Sequence, residues 1–193
     1  MYTNKLTSIF LLSLVTGCLG GENGVDDTGE TGDTGAPNTF TDGLELELTN
    51  FGGCGDVFMY AYSDSDEMGL FISAAGIVQQ AFDSGDDTST FSVDVGSGDG
   101  QARVVLQAGE RITTEACNDL VIYDQRPAVS EELTATAGTI TFQITPSGEP
   151  TDWGELPAGG DVLLNEVEFT TIQGDTLTID NWGFNAYVGW LPG

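Results

Sequence analysis

From residue 44 onward the chain repeatedly alternates apolar and polar side chains with a period of two. Leu44, Leu46 and Leu48 alternate with Glu45, Glu47 and Thr49, and Ile140, Phe142 and Ile144 share one face of 139–145. Near the C-terminus Trp182, Phe184, Ala186, Val188 and Trp190 fall on one side, with Gly183, Asn185, Tyr187 and Gly189 on the other. Successive side chains of a β-strand point to opposite faces, so this pattern argues for half-buried strands. The same criterion places strands at 57–62, 69–73, 77–82, 89–95, 101–107, 111–116, 120–123, 162–170 and 176–180. Turn formers separate them: Asp64-Ser65-Asp66, Ser84-Gly85-Asp86, the glycine-rich 96–100, and Gly174-Asp175. Beyond residue 17 no stretch shows a helical period. Many short, evenly spaced strands predict an all-β domain, an antiparallel β-sandwich of the Ig-like or jelly-roll-like kind, with a closed barrel as the alternative.

The first 17 residues are different in kind. Lys5 is followed by a mostly apolar run, Leu6 to Val15, and small residues, Thr16-Gly17, precede a cysteine. This is the layout of an export signal. At 1.5 Å per residue the run spans roughly 15 Å as a helix, half a bilayer core, and is too short for a permanent transmembrane span. Val15-Thr16-Gly17-Cys18 resembles the lipobox of bacterial lipoproteins: an aliphatic residue, a small or β-branched one, glycine, then cysteine. The resemblance implies cleavage before Cys18, diacylation of its thiol and acylation of the new amine, so that a membrane holds the chain through lipid. In that family an Asp after the cysteine often marks inner-membrane retention. Here Leu19 follows, which implies the outer membrane, with the face it is displayed on left open.

Residues 19–41 are Gly, Thr and acid in near-repeats, with almost nothing to bury. Such a segment is a self-repelling tether spanning roughly 25–30 Å as a random coil. The expected organisation is a signal peptide at 1–17, the lipidated Cys18 and tether at 18–41, and one acidic domain at 42–193. That domain, about 150 residues, is long enough for a real core.

Charge narrows the choice of partner. The 193 residues carry 31 acids against four bases and no histidine, a formal charge of −27. Lys5 is the only lysine, and the mature chain keeps Arg103, Arg111 and Arg126. A field this negative repels phosphate backbones and excludes nucleic acid as a partner. It equally opposes anionic lipid, so membrane contact falls to the acyl chains. The acidity fits a salt-adapted surface, divalent-cation binding or attraction of a basic partner.

With Cys18 assigned to lipid, Cys54 and Cys117 remain, an even pair in an exported chain, and a disulfide is predicted. If 57–117 ran as a simple meander, both cysteines would reach one end of the sheet. The acidic turns holding Asp64, Asp66 and Glu67, and Asp83, Asp86 and Asp87, would meet at the other. Those six carboxylates are candidate ligands for Ca²⁺, which takes six to eight oxygens. Zinc lacks ligands, and no other cofactor is required. Tyr60, Tyr62 and Tyr187 are candidates for stacking on sugar rings, whereas Trp182 and Trp190 share a face with Phe184 and Val188 and are expected in the core.

Catalysis is poorly equipped: Ser and Cys nucleophiles lack the histidine or lysine that usually activates them. The expected function is therefore a non-catalytic, lipid-anchored, monomeric domain with a binding or structural role at the cell envelope and calcium as a candidate cofactor. An envelope protein or a glycan would be its ligand. A carbohydrate-binding or adhesive module and a hydrolase using two carboxylates alone are the alternatives.

Overall fold

The computed structural model describes residues 47–118 and 124–190, all within one compact unit. The lipobox with Cys18, the tether, residues 44–46 and the strand expected at 120–123 lie outside the described residues.

Among the described residues nine strands and one helix follow in order: β1 (Asn50–Cys54), β2 (Phe58–Tyr62), β3 (Met68–Ser73), α1 (Ile77–Ser84), β4 (Ser89–Asp94), β5 (Arg103–Glu110), β6 (Ala128–Pro146), β7 (Ala158–Thr170), β8 (Thr176–Ile179) and β9 (Trp182–Val188). All named strand pairings are antiparallel. One layer runs β1-β2-β3-β5 into the first half of β6. The other joins β4 and β7 to the second half of β6, with β8 and β9 on the far side of β7. The inward faces of both layers meet in one core that includes Met59, Leu70, Ile72, Leu106, Phe142 and Phe169, all fully buried. The fold is thus all-β and sandwich-like, as the alternation predicts.

A single strand serves both layers because β6 bends. Its pairing with β7 slips on either side of Ala137, and Gly138, inside the second slip, has φ of 116°. A Cβ there would lie 2.6 Å from the Val167 Cα. Only glycine accepts both the backbone angle and that approach, and a bulge of this kind turns a strand from one layer into the next.

Four expectations fail. Residues 77–82 are not a strand but most of α1: Ile77, Val78 and Ala81 are buried at helical spacing while Gln79 and Gln80 face out. Gln79 also donates to Asp83 one turn on, at 2.8 Å. An eight-residue helix is marginal alone. Here the carboxylate of Asp56, on the β1–β2 turn, accepts the N–H groups of Gly76 and Val78 and supplies the missing N-cap.

Residues 111–116 are not a strand either. β5 already has β3 and β6 on its two edges, so the chain must leave the sheet. It does so at Arg111, in the left-handed region at φ 55°, and continues as consecutive turns. Glu47–Thr49 lies outside any strand, β1 beginning at Asn50. Finally, the meander is absent: β3 pairs with β5, while β4 crosses to β6.

The cysteine pairing nevertheless holds. Cys54 and Cys117 are bridged, their Cα atoms 5.8 Å apart. Residues 111–117 act as a strap returning from the far end of β5 to β1. Asp66, on the β2–β3 turn, fixes its start by accepting the backbone N–H and the hydroxyl of Thr113 on one carboxylate oxygen, at 3.1 and 2.8 Å. Ile112 of the strap is buried beside Gly69 and Phe71.

Candidate functional site

β1 and β9 meet along a seam. The Gly55 N–H donates to the Trp190 carbonyl at 2.8 Å, and the Phe51 and Phe184 rings stack with centroids 5.2 Å apart. Along this seam lies a groove of 910 Å³. One side is formed by Phe51, Gly52 and Gly53 of β1, Tyr60 of β2, and Ala116 and Cys117 of the strap. The other is formed by Gly159, Gly160 and Asp161 of β7 with Asn185 and Tyr187 of β9. Thr145, Pro157 and Trp190 also line it. The disulfide thus holds part of the wall in place.

The side chains on the β7–β9 side come from strand register. Tyr187 stands opposite Gly159 and Asn185 opposite Asp161, while Thr145 of β6 pairs with Gly159 from the other edge. Alternation sends Val188, Phe184 and Val162 inward and leaves Tyr187, Asn185 and Asp161 outside. Tyr187 is 73% exposed. Gly159 leaves the row open: a Cβ there would meet nothing closer than the Thr145 carbonyl, at 4.0 Å.

On the opposite wall Tyr60 belongs to an aromatic ladder. Its ring lies 5.8 Å from Phe58, 6.2 Å from Phe71 and 6.0 Å from Tyr62, and it covers Gly52, where a Cβ would fall 2.4 Å from the ring. Burial raises the pKa of its phenol above the ordinary tyrosine value, with the neighbouring Tyr62 and Asp66 adding to the shift. Tyr60 is held neutral, able to donate or accept a hydrogen bond.

Of the three sugar-stacking candidates, then, Tyr60 and Tyr187 line one groove though far apart in sequence, and Tyr62 does not line it. Trp182 packs against the core as expected. Trp190, expected in the core with Trp182, is instead half-buried and lines the groove, because β9 ends at Val188 and Gly189, at φ 81°, breaks the strand's alternation. Phe51 and Asp161 were not singled out by sequence. Asn185 was legible only as an outward neighbour of Tyr187.

The six candidate calcium ligands are not gathered. Among the described residues no group of three or more acidic, cysteine or histidine side chains is placed to hold a metal ion. Asp64 instead accepts the Thr49 hydroxyl at 2.6 Å and the Asn50 amide at 2.8 Å. Asp66 is engaged by Thr113, and Glu67 accepts the Ser65 hydroxyl at 3.1 Å. Asp83 and Asp86 border a separate shallow hollow with Thr88 and Thr90, and Asp87 lies in the exposed turn after α1. The arrangement depended on the meander, and β4 departs from it.

No family model matches the chain, and neither does any curated protein or solved structure. The groove's chemistry therefore has to be read from its own residues. It offers an exposed aromatic ring, a carboxylate acceptor, an amide that both donates and accepts, and a backbone left bare by glycines. Among the described residues that line it there is one acid, Asp161, and no base.

Proposed function

We propose that this chain is a lipid-anchored envelope protein whose β-domain binds neutral carbohydrate, without catalysis, in the groove between β1 and β9. The observation that carries the reading is Tyr187, largely exposed and in line with Gly159, beside the registered pair Asp161 and Asn185. A planar ring with an apolar face suits the C–H face of a sugar ring, and adjacent carboxylate and amide groups suit its hydroxyls. The charge of −27 disfavours anionic ligands, which supports an uncharged one. Hydrolysis by two carboxylates requires a second acid at a set separation, and the described lining supplies Asp161 alone, which favours binding over turnover.

The anchor rests on the lipobox resemblance at Val15–Cys18, and the tether of 19–41 would hold the domain clear of the headgroups. The bridged Cys54 and Cys117 suit an oxidising compartment.

Affinity electrophoresis of the mature chain in detergent, through gels containing neutral glucan, mannan or galactan, tests the binding. Retardation by at least one polysaccharide, abolished in Tyr187→Ala, is the expected result. Unchanged mobility in all three gels would defeat the reading. For the anchor, Cys18→Ala should abolish lipid modification and processing. A Cys18→Ala chain still processed and firmly membrane-bound would overturn it.

A further inference from the structure

Resting on that reading, we infer that the Tyr60 hydroxyl is a specificity-determining contact of the groove. From the wall opposite Asp161 and Asn185 it hydrogen-bonds a second edge of the bound sugar, so the groove takes units hydroxylated on both edges and rejects their deoxy counterparts.

The argument starts from register. Tyr60 of β2 pairs with Gly52 of β1, and both belong to the outer side of their layer, since Met59 and Ala61 on either side of Tyr60 are fully buried. β1 lies between Tyr60 and the β9 wall, so a side chain at position 52 would stand in the way. Glycine removes it, and the far end of the phenol lies over the bare backbone. The atoms a Cβ at Gly52 would meet are Cζ, Cε2 and the hydroxyl oxygen of Tyr60, the last at 2.5 Å. Neighbouring strands are about 4.8 Å apart, so a hydroxyl above Gly52 has crossed to the groove side of β2. Tyr62 is the contrast: it pairs with Asn50, which keeps its side chain, and it does not line the groove. The opposite wall is near. Gly53 abuts β9, a Cβ there falling 2.7 Å from the Tyr187 carbonyl oxygen. Gly52 under the phenol and Gly53 against Tyr187 are successive residues, with Cα atoms about 3.8 Å apart.

The hydroxyl is held in place and has no partner of its own. Phe58, Tyr62 and Phe71 surround the ring at centroid distances of 5.8, 6.0 and 6.2 Å, and Ala116 and Cys117 of the strap stand beside it in the lining. Burial and the neighbouring Tyr62 and Asp66 perturb the phenol, and among the described residues nothing hydrogen-bonds it. A half-buried hydroxyl that has shed water and found no protein partner is an unsatisfied group, and a ligand hydroxyl in the groove is the partner within its reach. A phenol donates and accepts, so it suits a sugar hydroxyl in either sense. Because the ring is already fixed by its neighbours, little ordering is left to oppose binding. A site built around such a group discriminates strongly against the analogue that lacks the matching hydroxyl, since the phenol is then desolvated and left unpaired.

The test uses the mature chain in detergent and whichever of the glucan, mannan and galactan gels retards it. Tyr60→Phe keeps the ring and removes the oxygen. Gly52→Ala keeps the oxygen and pushes it aside, and the obstruction is the far end of a side chain, so the backbone need not move. Tyr62→Phe, outside the groove lining, is the control. Tyr60→Phe and Gly52→Ala are each expected to weaken binding about tenfold, with melting temperatures within a few degrees of wild type, while Tyr62→Phe binds as wild type does. If Gly52→Ala does not fold, Tyr60→Phe decides alone. The disaccharide of the retarding polysaccharide and its monodeoxy analogues then compete with the gel. At least one analogue should compete about tenfold less well than the parent for wild type, and equally well with it for Tyr60→Phe.

Wild-type affinity in Tyr60→Phe would overturn the inference and leave the groove reading standing. So would an equal loss in Tyr62→Phe, which would trace the effect to the aromatic ladder as a whole. Deoxy losses that are the same for wild type and Tyr60→Phe would overturn it too. Retardation of the wild type by none of the three gels would instead defeat the groove reading itself.

Discussion

The carboxylate of Asp66 accepts both the backbone N–H and the hydroxyl of Thr113, 47 residues later, on a single oxygen. It is the far-end counterpart of the Cys54–Cys117 bridge, and between them the strap is fixed at both ends. Asp66→Ala removes both bonds and places alanine at φ 57°. We expect a loss of about 2 kcal/mol, read from urea denaturation, with Asp66→Asn recovering part of it because asparagine tolerates the left-handed region.

Replacing Cys54 and Cys117 by serine should lower stability by about 4 kcal/mol in the chain-entropy picture of a long closed loop. The loss should be accompanied by new protease cleavage within 111–118, seen by mass spectrometry, since the strap would keep only its Asp66 end. Cleavage unchanged from wild type would show that the Asp66 bonds and the packing of Ile112 hold the strap without the bridge.

Gly159→Val separates the groove from the fold. A Cβ at this position meets open space, and valine suits a strand, so the melting temperature should stay within a few degrees of wild type. The branched side chain would stand between Thr145 and Tyr187, and carbohydrate retardation should vanish. A destabilised Gly159→Val would contradict the geometry of that row.

The two pH limits should be separable. Tyr60 binds its proton more tightly when folded, so its contribution is complete below the unfolded tyrosine pKa, about 10, and is lost as pH rises toward the folded value. Tyr60→Phe keeps the ring over Gly52 and should flatten the alkaline fall in denaturation midpoint. Asp64 behaves oppositely. The hydrogen bonds from Thr49 and then Asn50 lower its pKa, outweighing a small opposing desolvation. Its contribution is present above the ordinary carboxylate value of about 3.9 and disappears as pH falls through the folded one, so Asp64→Asn should flatten part of the acid limb.

The outer tyrosines show how far the candidate site was legible. Alternation alone put Tyr187 and Asn185 on the face opposite Trp182 and Phe184, and β9 has that arrangement. Tyr60 could be recognised as an outward aromatic of β2. Nothing local tied it to Tyr187, because the groove exists only where β1 closes against β9, strands about 130 residues apart. Asp161 looked like one acid among 31. Its neighbours across the strands, Gln143 and Asn185, are what distinguish it.

Helix α1 was misread for a related reason. Ile77-Val78 favours a strand by composition, and the cap that stabilises a helix there is Asp56, 20 residues upstream of the Gly76 it binds. Residues 128–137 showed no clean alternation, yet they form the first half of β6, with Glu131 and small alanines where large apolar residues would be expected.

By itself the sequence determined the strand period, the turn positions, the inward face of most strands, the paired cysteines and the acidic field. Each is local or compositional: a side chain's direction follows from its own backbone, and an even cysteine count needs no geometry. The tertiary structure decided which strands pair, that β6 bends at Gly138 to serve both layers, that 111–117 straps rather than extends the sheet, and that Tyr60 and Tyr187 share a groove. Those depend on which sheet edges are already occupied and how closely two backbones approach, quantities set between residues far apart in the chain.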